Sequence, residues 1–474
     1  MRRPVVAALS VTLALGGYAT LDVYDRVPGI LTLAPEPDPA PPSPAPGAPV
    51  AVPLPRPEPP GMPLAASGAQ GPVPSPAGLQ AALAPVLAEP ALGRSVSVAV
   101  RDAATGSHLL DLDPDRPRTP ASAVKLLSAV GVNSAFPRGA ALTTKVVQGR
   151  EPGQVVLVAG GDTLLSPGAG DPNAVAGRAG LGDLAALTAK ALQDKGVRAV
   201  TLAVDLGYAP GPLSAPSWSP SFVANGITGA VAMLGLSTQR ATPGHPGPAN
   251  PPPAVAAALA TALRQRGVAT SVQQPPVTAD QDAPVLGSVV SAPVADQLAL
   301  ALDESDNALT ESLTRQAAFL RGAGTTFAQT ADFVRTTIAG LGVDVTGATA
   351  IDACGLSRED AVPARLLADV IGLGLADKVP GMRDTLSRLP VAGLTGTLSD
   401  RFTAPGTHPA AGVARAKTGT LTGVNAIAGT LVTVDGRLLT FAVLAEGSPP
   451  GAGTLLARGS LDRFVAVLAS CGCR

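Results

Sequence analysis

Lysine is scarce in this chain of 474 residues. Only six of its 34 basic residues are lysines, namely Lys125, Lys145, Lys190, Lys195, Lys378 and Lys417, and the rest are arginines. Arginine serves as well as lysine for surface charge, but only lysine readily loses its proton when it is buried and then acts as a base. Each lysine is therefore a candidate for chemistry.

Aromatic residues and net charge are also nearly absent. Aromatic residues make up 3% of the chain, and 34 basic residues balance 35 acidic ones. The composition therefore argues against a base-stacking surface, an aromatic platform for carbohydrates and a polyanionic partner. We predict that no nucleic acid binds.

Histidine is limited to His108, His245 and His408. The three do not show the paired spacing of zinc ligands. No Gly-x-Ser-x-Gly segment accompanies them, as one type of Ser-His-Asp enzyme requires. We predict no metal and no other cofactor.

Residues 1–32 are predicted to be a signal sequence or a membrane anchor. Two arginines precede an apolar run over residues 5–15, and Asp22 and Asp25 follow it, which orients the rest of the chain outward. The apolar stretch of about 17 residues favours an uncleaved anchor over cleavage at residues 17–19. A cytosolic hydrophobic helix is the alternative. The protein is thus expected on the outer side of the cytoplasmic membrane or in the cell wall, anchored or secreted.

Residues 33–77 are predicted to be a proline-rich linker. Their sequence includes APEPDPAPPSPAPGAPVAVPLPRPEPPGMP, a composition that cannot build a packed core. Such segments are extended and semi-rigid at roughly 3 Å per residue, so this one could hold a globular body on the order of 100 Å from the membrane.

The three cysteines are Cys354, Cys471 and Cys473. Export makes a disulfide plausible. The short loop between Cys471 and Cys473 would be strained if it closed on itself. We therefore expect Cys354 to pair with one of the two, which leaves the other thiol free.

The pattern of apolar residues predicts both strands and helices. Alternation indicates one hairpin over residues 95–112 and a second over residues 427–445, with helices from residue 121 onward and over residues 454–470. The mixed, Gly/Pro-rich region between the hairpins reads as an inserted domain.

Ser122 and Lys125 are spaced so that both face one side of a helix. At the N-terminus of that helix, free N–H groups and the helix dipole would suit an oxyanion. A lysine desolvated beside a serine can remove the hydroxyl proton and create a nucleophile. Alone the pattern is weak, because a surface serine near a helix lysine has the same spacing.

Two further segments contain short motifs that strengthen the interpretation of this pair. Residues 304–309, ESDNAL, open a helix whose apolar residues Leu309, Leu313 and Leu320 mark a core face, and a plain N-cap cluster is the alternative. Residues 414–421, ARAKTGTL, lie in the first strand of the C-terminal sheet, and a plain strand end is the alternative. Together, Ser-x-x-Lys, Ser-x-Asn and Lys-Thr-Gly are the motif set of penicillin-binding proteins and β-lactamases.

From about residue 78 to the C-terminus, the chain resembles a class C low-molecular-mass penicillin-binding protein, of the D-alanyl-D-alanine carboxypeptidase/endopeptidase family. The resemblance rests on TPASAVKLL, VAGGDTLL, LGSVVSAPVADQLALALDESDNALTESLTRQAA, DACGLSRED, LPVAGLTGTLSDRF and ARAKTGTLTGVNAIAG. Ala353-Cys354 and Thr163 depart from the family pattern, which has Gly-Ser and proline there.

The resemblance implies an α+β fold. It consists of a transpeptidase/β-lactamase-like domain, an antiparallel sheet flanked by helices, built from residues 78–140 and 280–474. A smaller inserted domain over residues 141–279 would interrupt it.

The resemblance also implies residue roles. Ser122 is the nucleophile, Lys125 its base, Ser305 a proton relay, Lys417 a source of positive potential, and Asn307 a holder of the substrate amide. Asp306 is expected to be a structural carboxylate. The residues expected to bind the substrate carboxylate and form the oxyanion hole are Thr418, Gly419 and Thr420, with the N–H of Ser122.

The implied function is that of a serine D,D-peptidase of peptidoglycan. It would remove the terminal D-alanine from stem peptides, cleave D-Ala-diaminopimelate cross-links, or both, and β-lactams would acylate it. Two alternatives are a β-lactamase or esterase on the same fold and a non-catalytic wall-binding scaffold. The loop that positions deacylating water in class A β-lactamases is missing, which argues against the first alternative. The motif residues are intact, which argues against the second.

Overall fold

The structure is a computed structural model, and it describes residues 71–449 and 453–474. The predicted signal or anchor segment and most of the predicted linker lie outside these residues. None of the helices within them is both long and apolar enough to cross a membrane.

The described residues form ten strands and eleven α-helices. The strands are β1 (Ser95–Asp102), β2 (His108–Leu112), β3 (Ala141–Gln148), β4 (Gln154–Val158), β5 (Ala199–Asp205), β6 (Ala269–Val272), β7 (Val285–Pro293), β8 (Ala414–Leu421), β9 (Val424–Val432) and β10 (Leu438–Glu446). The helices are α1 (Pro76–Leu87), α2 (Lys125–Ala135), α3 (Leu181–Gln193), α4 (Pro220–Ala224), α5 (Pro252–Gln265), α6 (Val294–Asp303), α7 (Asn307–Leu320), α8 (Phe327–Gly340), α9 (Ala364–Leu375), α10 (Met382–Ser387) and α11 (Gly453–Ser470).

The first sheet is antiparallel, with the strand order β2-β1-β10-β9-β8. Both predicted hairpins are confirmed, because β1 pairs with β2 and β9 with β10. Both faces are buried. Along β10, Phe441 and Val443 join the core under α1 and α11, whereas Ala442 and Leu444 join the core under α2 and α9. Alternate side chains of a strand point to opposite faces, so a strand covered on both sides is apolar throughout.

Alanines line the α2 side of this sheet. Ala426, Ala428 and Ala442 are fully or almost fully buried there. Their short side chains allow α2 to lie close to the strands. This packing places the N-terminus of α2 beside β8.

The second sheet is mixed, with the strand order β6-β5-β4-β3-β7. β4, β5 and β6 run parallel, and the chain passes between them through α3 and α5, whose apolar faces share one core with the strands. Parallel neighbours need such crossovers, whereas β3 joins β4 through a tight connection.

This second sheet is the inserted smaller domain that the α+β prediction required. It begins at β3 and ends at β7, and these two strands pair with Ala141 opposite Pro293. The chain therefore leaves and re-enters the first domain at neighbouring points. β7 lies beyond residue 279, and the exact limits of the two domains stay a prediction.

The cysteine pairing expected from the sequence is wrong. Cys471 forms a disulfide with Cys473, and Cys354 is a free, buried thiol. Cys354 packs with Trp218 and Phe327, while Cys471 belongs to the core under α1 and α11. Because Cys354 and Cys471 lie in different cores, their side chains are not placed to form a disulfide with each other.

The helix after the Ser-Asp-Asn segment is confirmed, but its core face is not the full predicted stripe. Leu309 and Leu313 are buried, whereas Leu320, at the last position of α7, is 48% exposed. The terminal turn of the helix extends beyond the core that covers its first three turns.

Candidate active site

A tight turn presents Ser122 at the start of α2. Residues Ala121–Val124 form one 3₁₀ turn, and the first residue of α2, Lys125, follows directly. Ala121 has a positive φ of 44°, an uncommon conformation for a residue with a side chain. The turn aims the hydroxyl of Ser122 at Lys125, whose Nζ donates a hydrogen bond to it at 2.8 Å.

Two glycines allow this turn to fit between its neighbours. A Cβ on Gly419 of β8 would lie 2.6 Å from the carbonyl oxygen of Pro120 and 3.0 Å from the nitrogen of Ser122. Gly355 has φ +85°, and a Cβ there would meet the carbonyl of Ala121 at 2.0 Å. Gly419 therefore brings the backbone of β8 against the Ser122 turn.

Lys125 is fully buried and donates three hydrogen bonds. Besides the Ser122 hydroxyl, its Nζ contacts the Oδ1 of Asn307 at 2.6 Å and the carbonyl oxygen of Cys354 at 2.6 Å. Burial lowers the pKa of Lys125, although nearby acidic groups oppose the shift. The geometry and the environment both suit a lysine that accepts a proton from Ser122.

A second serine–lysine pair lies in the same cleft. Lys417 of β8 is fully buried, and its Nζ donates to the hydroxyl of Ser305 at 2.9 Å and to the carbonyl of Thr418 at 3.0 Å. Burial, together with repulsion from Lys125, places the pKa of Lys417 well below its usual value. Ser305 has φ +58°, so the pair depends on a left-handed serine.

Asn307 joins the first pair to the inserted domain. Its Oδ1 accepts from Lys125, and its Nδ2 donates to the carbonyl of Ile227 at 2.7 Å. Asp306 caps α7 by accepting from the N–H of Leu309 at 2.9 Å. The capping alternative is thus correct for Asp306, while Ser305 and Asn307 on either side of it face the lysines.

The remaining predicted residues lie along β8. The hydroxyl of Thr418 donates to the hydroxyl of Thr397 at 3.0 Å, and Thr420 is partly exposed beyond it. β8 is an edge strand of the first sheet, and a bridge between Val391 and Arg415 covers only its beginning. An edge strand can pair with an extended ligand backbone.

A buried carboxyl cluster behind Lys125 was missed by the sequence analysis. It consists of Glu311, Asp352 and Asp360, which are all at most 1% exposed. Asp352 accepts hydrogen bonds from four donors, the backbone N–H groups of Cys354, Gly355 and Ser357 and the indole N–H of Trp218. Glu311 accepts from the N–H of Ala353 at 2.7 Å. The cluster thus holds the loop whose Cys354 carbonyl binds Lys125.

The cluster is only partly ionised at neutral pH. Burial, with repulsion from Asp352, raises the pKa of Glu311 to about 8 and that of Asp360 to about 9. The DACGLSRED segment and the position of Glu311 one turn after Asn307 were the available signals, but neither reveals burial.

Three of these side chains also come close enough to be considered as metal ligands. Glu311, Asp352 and Cys354 place one ligand atom each within 4.8 Å of one another. The four donors to Asp352 fill the lone-pair positions of its carboxylate. Burial raises the pKa of the Cys354 thiol well above its usual value, which disfavours the thiolate that binds metals. We assign these groups to hydrogen bonding.

None of the three histidines forms a hydrogen bond with a motif residue within the described part of the chain. The His108 ring contacts Asp111, the His408 ring contacts the carbonyl of Thr403, and His245 bonds to Thr242 through its backbone. The hydroxyl of Ser122 is paired with Lys125 instead.

This fold and this site define the class of protein. A serine at the start of a helix, a buried lysine one turn later, and Lys-Thr-Gly on the adjacent edge strand are the arrangement of penicillin-recognising serine hydrolases.

Comparison with known proteins narrows the class to a family. Residues 79–248 and 249–466 match the D-Ala-D-Ala carboxypeptidase 3 (S13) family. The chain is 34% identical over 409 residues to carboxypeptidase DacB of Mycolicibacterium smegmatis, with 85% of this chain and 86% of that protein covered. It is 31% identical over 437 residues to the D-alanyl-D-alanine carboxypeptidase of Actinomadura sp. (strain R39), with 76% and 80% covered.

The fold has a solved counterpart. The crystal structure of penicillin binding protein 4 (dacB) from Haemophilus influenzae is similar with a TM-score of 0.65 at 18% identity, covering 81% of this chain and 98% of that one. The chain therefore belongs to the S13 family and is a serine-type D-Ala-D-Ala carboxypeptidase.

Proposed function

We propose that Ser122 attacks the carbonyl carbon of the penultimate D-alanine of a peptidoglycan stem peptide while Lys125 accepts its proton. The observation that carries the proposal is the 2.8 Å contact between the Ser122 hydroxyl and the Nζ of a completely buried lysine. In the neutral amine, which desolvation favours, two N–H groups can donate to Asn307 and to the carbonyl of Cys354, while the lone pair accepts from the Ser122 hydroxyl. The C–N bond of the tetrahedral intermediate breaks, and water later hydrolyses the acyl-serine.

Ser305 is proposed to pass a proton to the leaving amine, because its hydroxyl is hydrogen-bonded to the Nζ of Lys417 and lies two residues before Asn307, which contacts Lys125. In the carboxypeptidase reaction the leaving amine belongs to the terminal D-alanine. In the endopeptidase reaction it belongs to the diaminopimelate of a cross-link. The same bond type breaks in both, so the same residues serve both reactions.

The two lysines support a role for the substrate carboxylate in this scheme. A carboxylate bound at Thr418 and Thr420 would lie near Lys417 and favour its charged form. Because the charges on Lys417 and Lys125 repel each other, a charged Lys417 lowers the pKa of Lys125 further. Substrate binding would thus prepare the base.

The negative charge of the tetrahedral intermediate is assigned to the backbone N–H groups of Ser122 and Thr420. Gly419 supports this assignment, because its missing Cβ lets these two segments approach. Asn307 would hold the substrate amide, and its contacts with Lys125 and Ile227 fix its orientation. Donors of this kind typically contribute about 3 kcal/mol each to transition-state stabilisation.

Acylation by β-lactams is the direct test of the nucleophile. The Haemophilus influenzae protein of the same fold has been solved in complex with a β-lactam. We expect a penicillin to leave a covalent adduct on Ser122, detected by peptide mass mapping, and no adduct on Ser122→Ala. A folded protein without an adduct would favour the scaffold alternative. Rapid, repeated hydrolysis of the drug would favour a β-lactamase.

Export to the outer side of the cytoplasmic membrane is also proposed. It is supported by the charge pattern and apolar run of residues 1–32 and by the location that peptidoglycan substrates require. Protease added to intact cells whose wall has been removed should digest the full-length protein. Protection from that protease until the cells are lysed would contradict export.

A further inference from the structure

An arginine from the inserted domain contacts the segment that carries Ser305. Arg240 follows a 3₁₀ turn, Ser237–Gln239, in the long connection between β5 and α5. Its Nε and Nη2 donate to the Oδ2 of Asp306 at 3.1 and 2.8 Å, and its Nη2 also donates to the carboxylate of Glu304. The guanidinium thus binds the residue before Ser305 and the residue after it.

The contact with Asp306 is the sheltered part of this interaction. The Arg240 and Asp306 side chains are only 18% and 12% exposed, whereas Glu304 is 45% exposed. Asp306 divides its two oxygens between tasks, because Oδ1 caps α7 and Oδ2 binds Arg240. A planar guanidinium bound to two carboxylates restrains their backbone more firmly than a single point contact.

The residue held between these carboxylates has a conformation that needs support. Ser305 has φ +58°, and non-glycine residues persist in this region only when their surroundings hold them there. From this conformation the Ser305 hydroxyl reaches Lys417 at 2.9 Å. A relaxed Ser305 would turn its hydroxyl away from the lysine.

We propose that Arg240 is a positioning residue for the reaction, since by binding Glu304 and Asp306 on both sides of Ser305 it holds the Ser305 hydroxyl within reach of Lys417. The hydrogen bonds of the Arg240 side chain go to Glu304 and Asp306 and not to Ser122, Lys125, Ser305 or Lys417, so Arg240 would act through the backbone of Ser305. The inserted domain thereby contributes to the geometry of the catalytic cleft. The inference rests on the proposed role of Ser305.

Other hydrogen bonds also join the inserted domain to α7. The carbonyl of Ile227 accepts from Asn307, the carbonyl of Ala232 accepts from Ser312, and the carbonyls of Val231 and Pro212 accept from Arg315. These contacts bind the helix itself. Among the described residues, Arg240 is the only one of the inserted domain that forms a hydrogen bond with the carboxylates that flank Ser305.

The test compares Arg240→Gln and Arg240→Lys with a matched control in the full-length protein. The control is Arg150→Gln, because Arg150 also lies in the inserted domain and forms an arginine–carboxylate pair, with Asp280, but on the surface. A labelled penicillin first counts the active sites of each preparation. The acylation rate constant is then measured per titrated site, so that a loss of folded protein does not alter it.

We expect Arg240→Gln to lower the acylation rate constant per site by about 10- to 100-fold, since small displacements of a reacting group have effects of this size. Arg240→Lys should recover part of the loss, because it restores the charge but not the fork. Arg150→Gln should match the unaltered protein. KM for a peptide ending in D-Ala-D-Ala should change much less than kcat.

Two further variants test whether Arg240 and Glu304 act together, even if Arg240→Gln reduces the amount of folded protein. Glu304→Gln removes the exposed one of the two carboxylates that bind Arg240 and should lower the acylation rate constant by a few fold only. Arg240→Gln combined with Glu304→Gln should be no slower than Arg240→Gln alone, because residues that act as one unit are not additive.

Two results would overturn the inference. If Arg240→Gln lowers the melting temperature or the number of active sites but leaves the rate constant per site unchanged, Arg240 is only a structural contact. If Arg240→Lys is as slow as Arg240→Gln and the effects of the two substitutions add in the double variant, Arg240 and Glu304 do not act together on Ser305. Failure of the unaltered protein to react would instead reject the proposed function.

Discussion

The cleft contains two serine–lysine pairs that are nearly equal in length but differ in their surroundings. Lys125 lies 2.8 Å from Ser122 and Lys417 lies 2.9 Å from Ser305, and both lysines are completely buried. Lys125 has two further side-chain or loop acceptors and a carboxyl cluster behind it. Lys417 has one backbone carbonyl and Asp303 nearby.

The comparison shows how one type of pair supports two roles. Where several acceptors fix the amine, as at Lys125, its position relative to the serine is set before substrate arrives. Where few acceptors are present, as at Lys417, the charge depends more on what the ligand brings. In the proposed mechanism, environment rather than residue type separates Lys125, the base, from Lys417, the electrostatic partner.

The largest expected effect comes from removing the base. Lys125→Met should lower the limiting rate of acylation by about 10³-fold, because the other hydrogen-bond partner of the Ser122 hydroxyl in the described part of the chain, the carbonyl of Cys354, is not a base. Saturation kinetics with a penicillin measure this rate. Lys190→Met, which alters an exposed lysine paired with Asp194, should leave it unchanged. A loss of less than about tenfold would show that Lys125 is not the base.

Removing the second lysine should have a smaller and different effect. Lys417→Met is expected to lower the limiting rate by about 10²-fold and to raise the half-saturation concentration, because it loses both the Ser305 partner and the charge near the ligand carboxylate. The same saturation experiment separates the two parameters. If Lys417→Met and Lys125→Met show identical profiles, the distinction between the pairs is wrong.

The smallest effect is a pH dependence that belongs to the Lys125 side alone. Glu311 and Asp360 have folded pKa values raised to about 8 and about 9, from ordinary values of 4.5 and 3.8. Their stabilising contribution is therefore complete below pH 4 and lost as pH rises through 8 to 9. We expect the acylation rate to fall as pH rises through 8 to 9, when the buried cluster becomes charged, and the melting temperature to fall progressively from about pH 4 to pH 9.

Glu311→Gln tests the source of this alkaline loss. The amide oxygen of glutamine can still accept from the N–H of Ala353, but it does not ionise. The fall in the acylation rate should therefore move towards pH 9, where Asp360 still ionises. Glu359→Gln, an exposed neighbour in the same loop, is the control. An unchanged pH profile in Glu311→Gln would assign the alkaline loss to another group.

Much of the fold could be predicted from local patterns. Alternation along residues 95–112 and 427–445 predicted the hairpins, because side-chain direction repeats every two residues. The motifs predicted that Lys125 lies beside Ser122 and that Ser305 and Lys417 line the same cleft, but not that these two side chains are in contact. Leu320 shows the limit of the method, because periodicity cannot tell where the neighbouring core ends.

The remaining features depend on residues far apart in the chain. The N–H of Ala353 and the carboxylate of Glu311 are 42 residues apart, and Arg240 and Asp306 are 66 apart. No repeat or spacing links such residues. The disulfide prediction failed for the same reason, since it relied on loop length and could not know that Cys354 is enclosed in a different core.

The sequence by itself determined the serine and the two lysines to which we assign the chemistry, the hairpins and the family, because these depend on short spacings and on motifs within single elements. Only the tertiary structure decided that both lysines are fully buried, that a carboxyl cluster holds the loop at Lys125, and that Arg240 of the inserted domain grips both sides of Ser305. Burial and charge environment are properties of packed surfaces, and packing joins segments that the sequence keeps far apart.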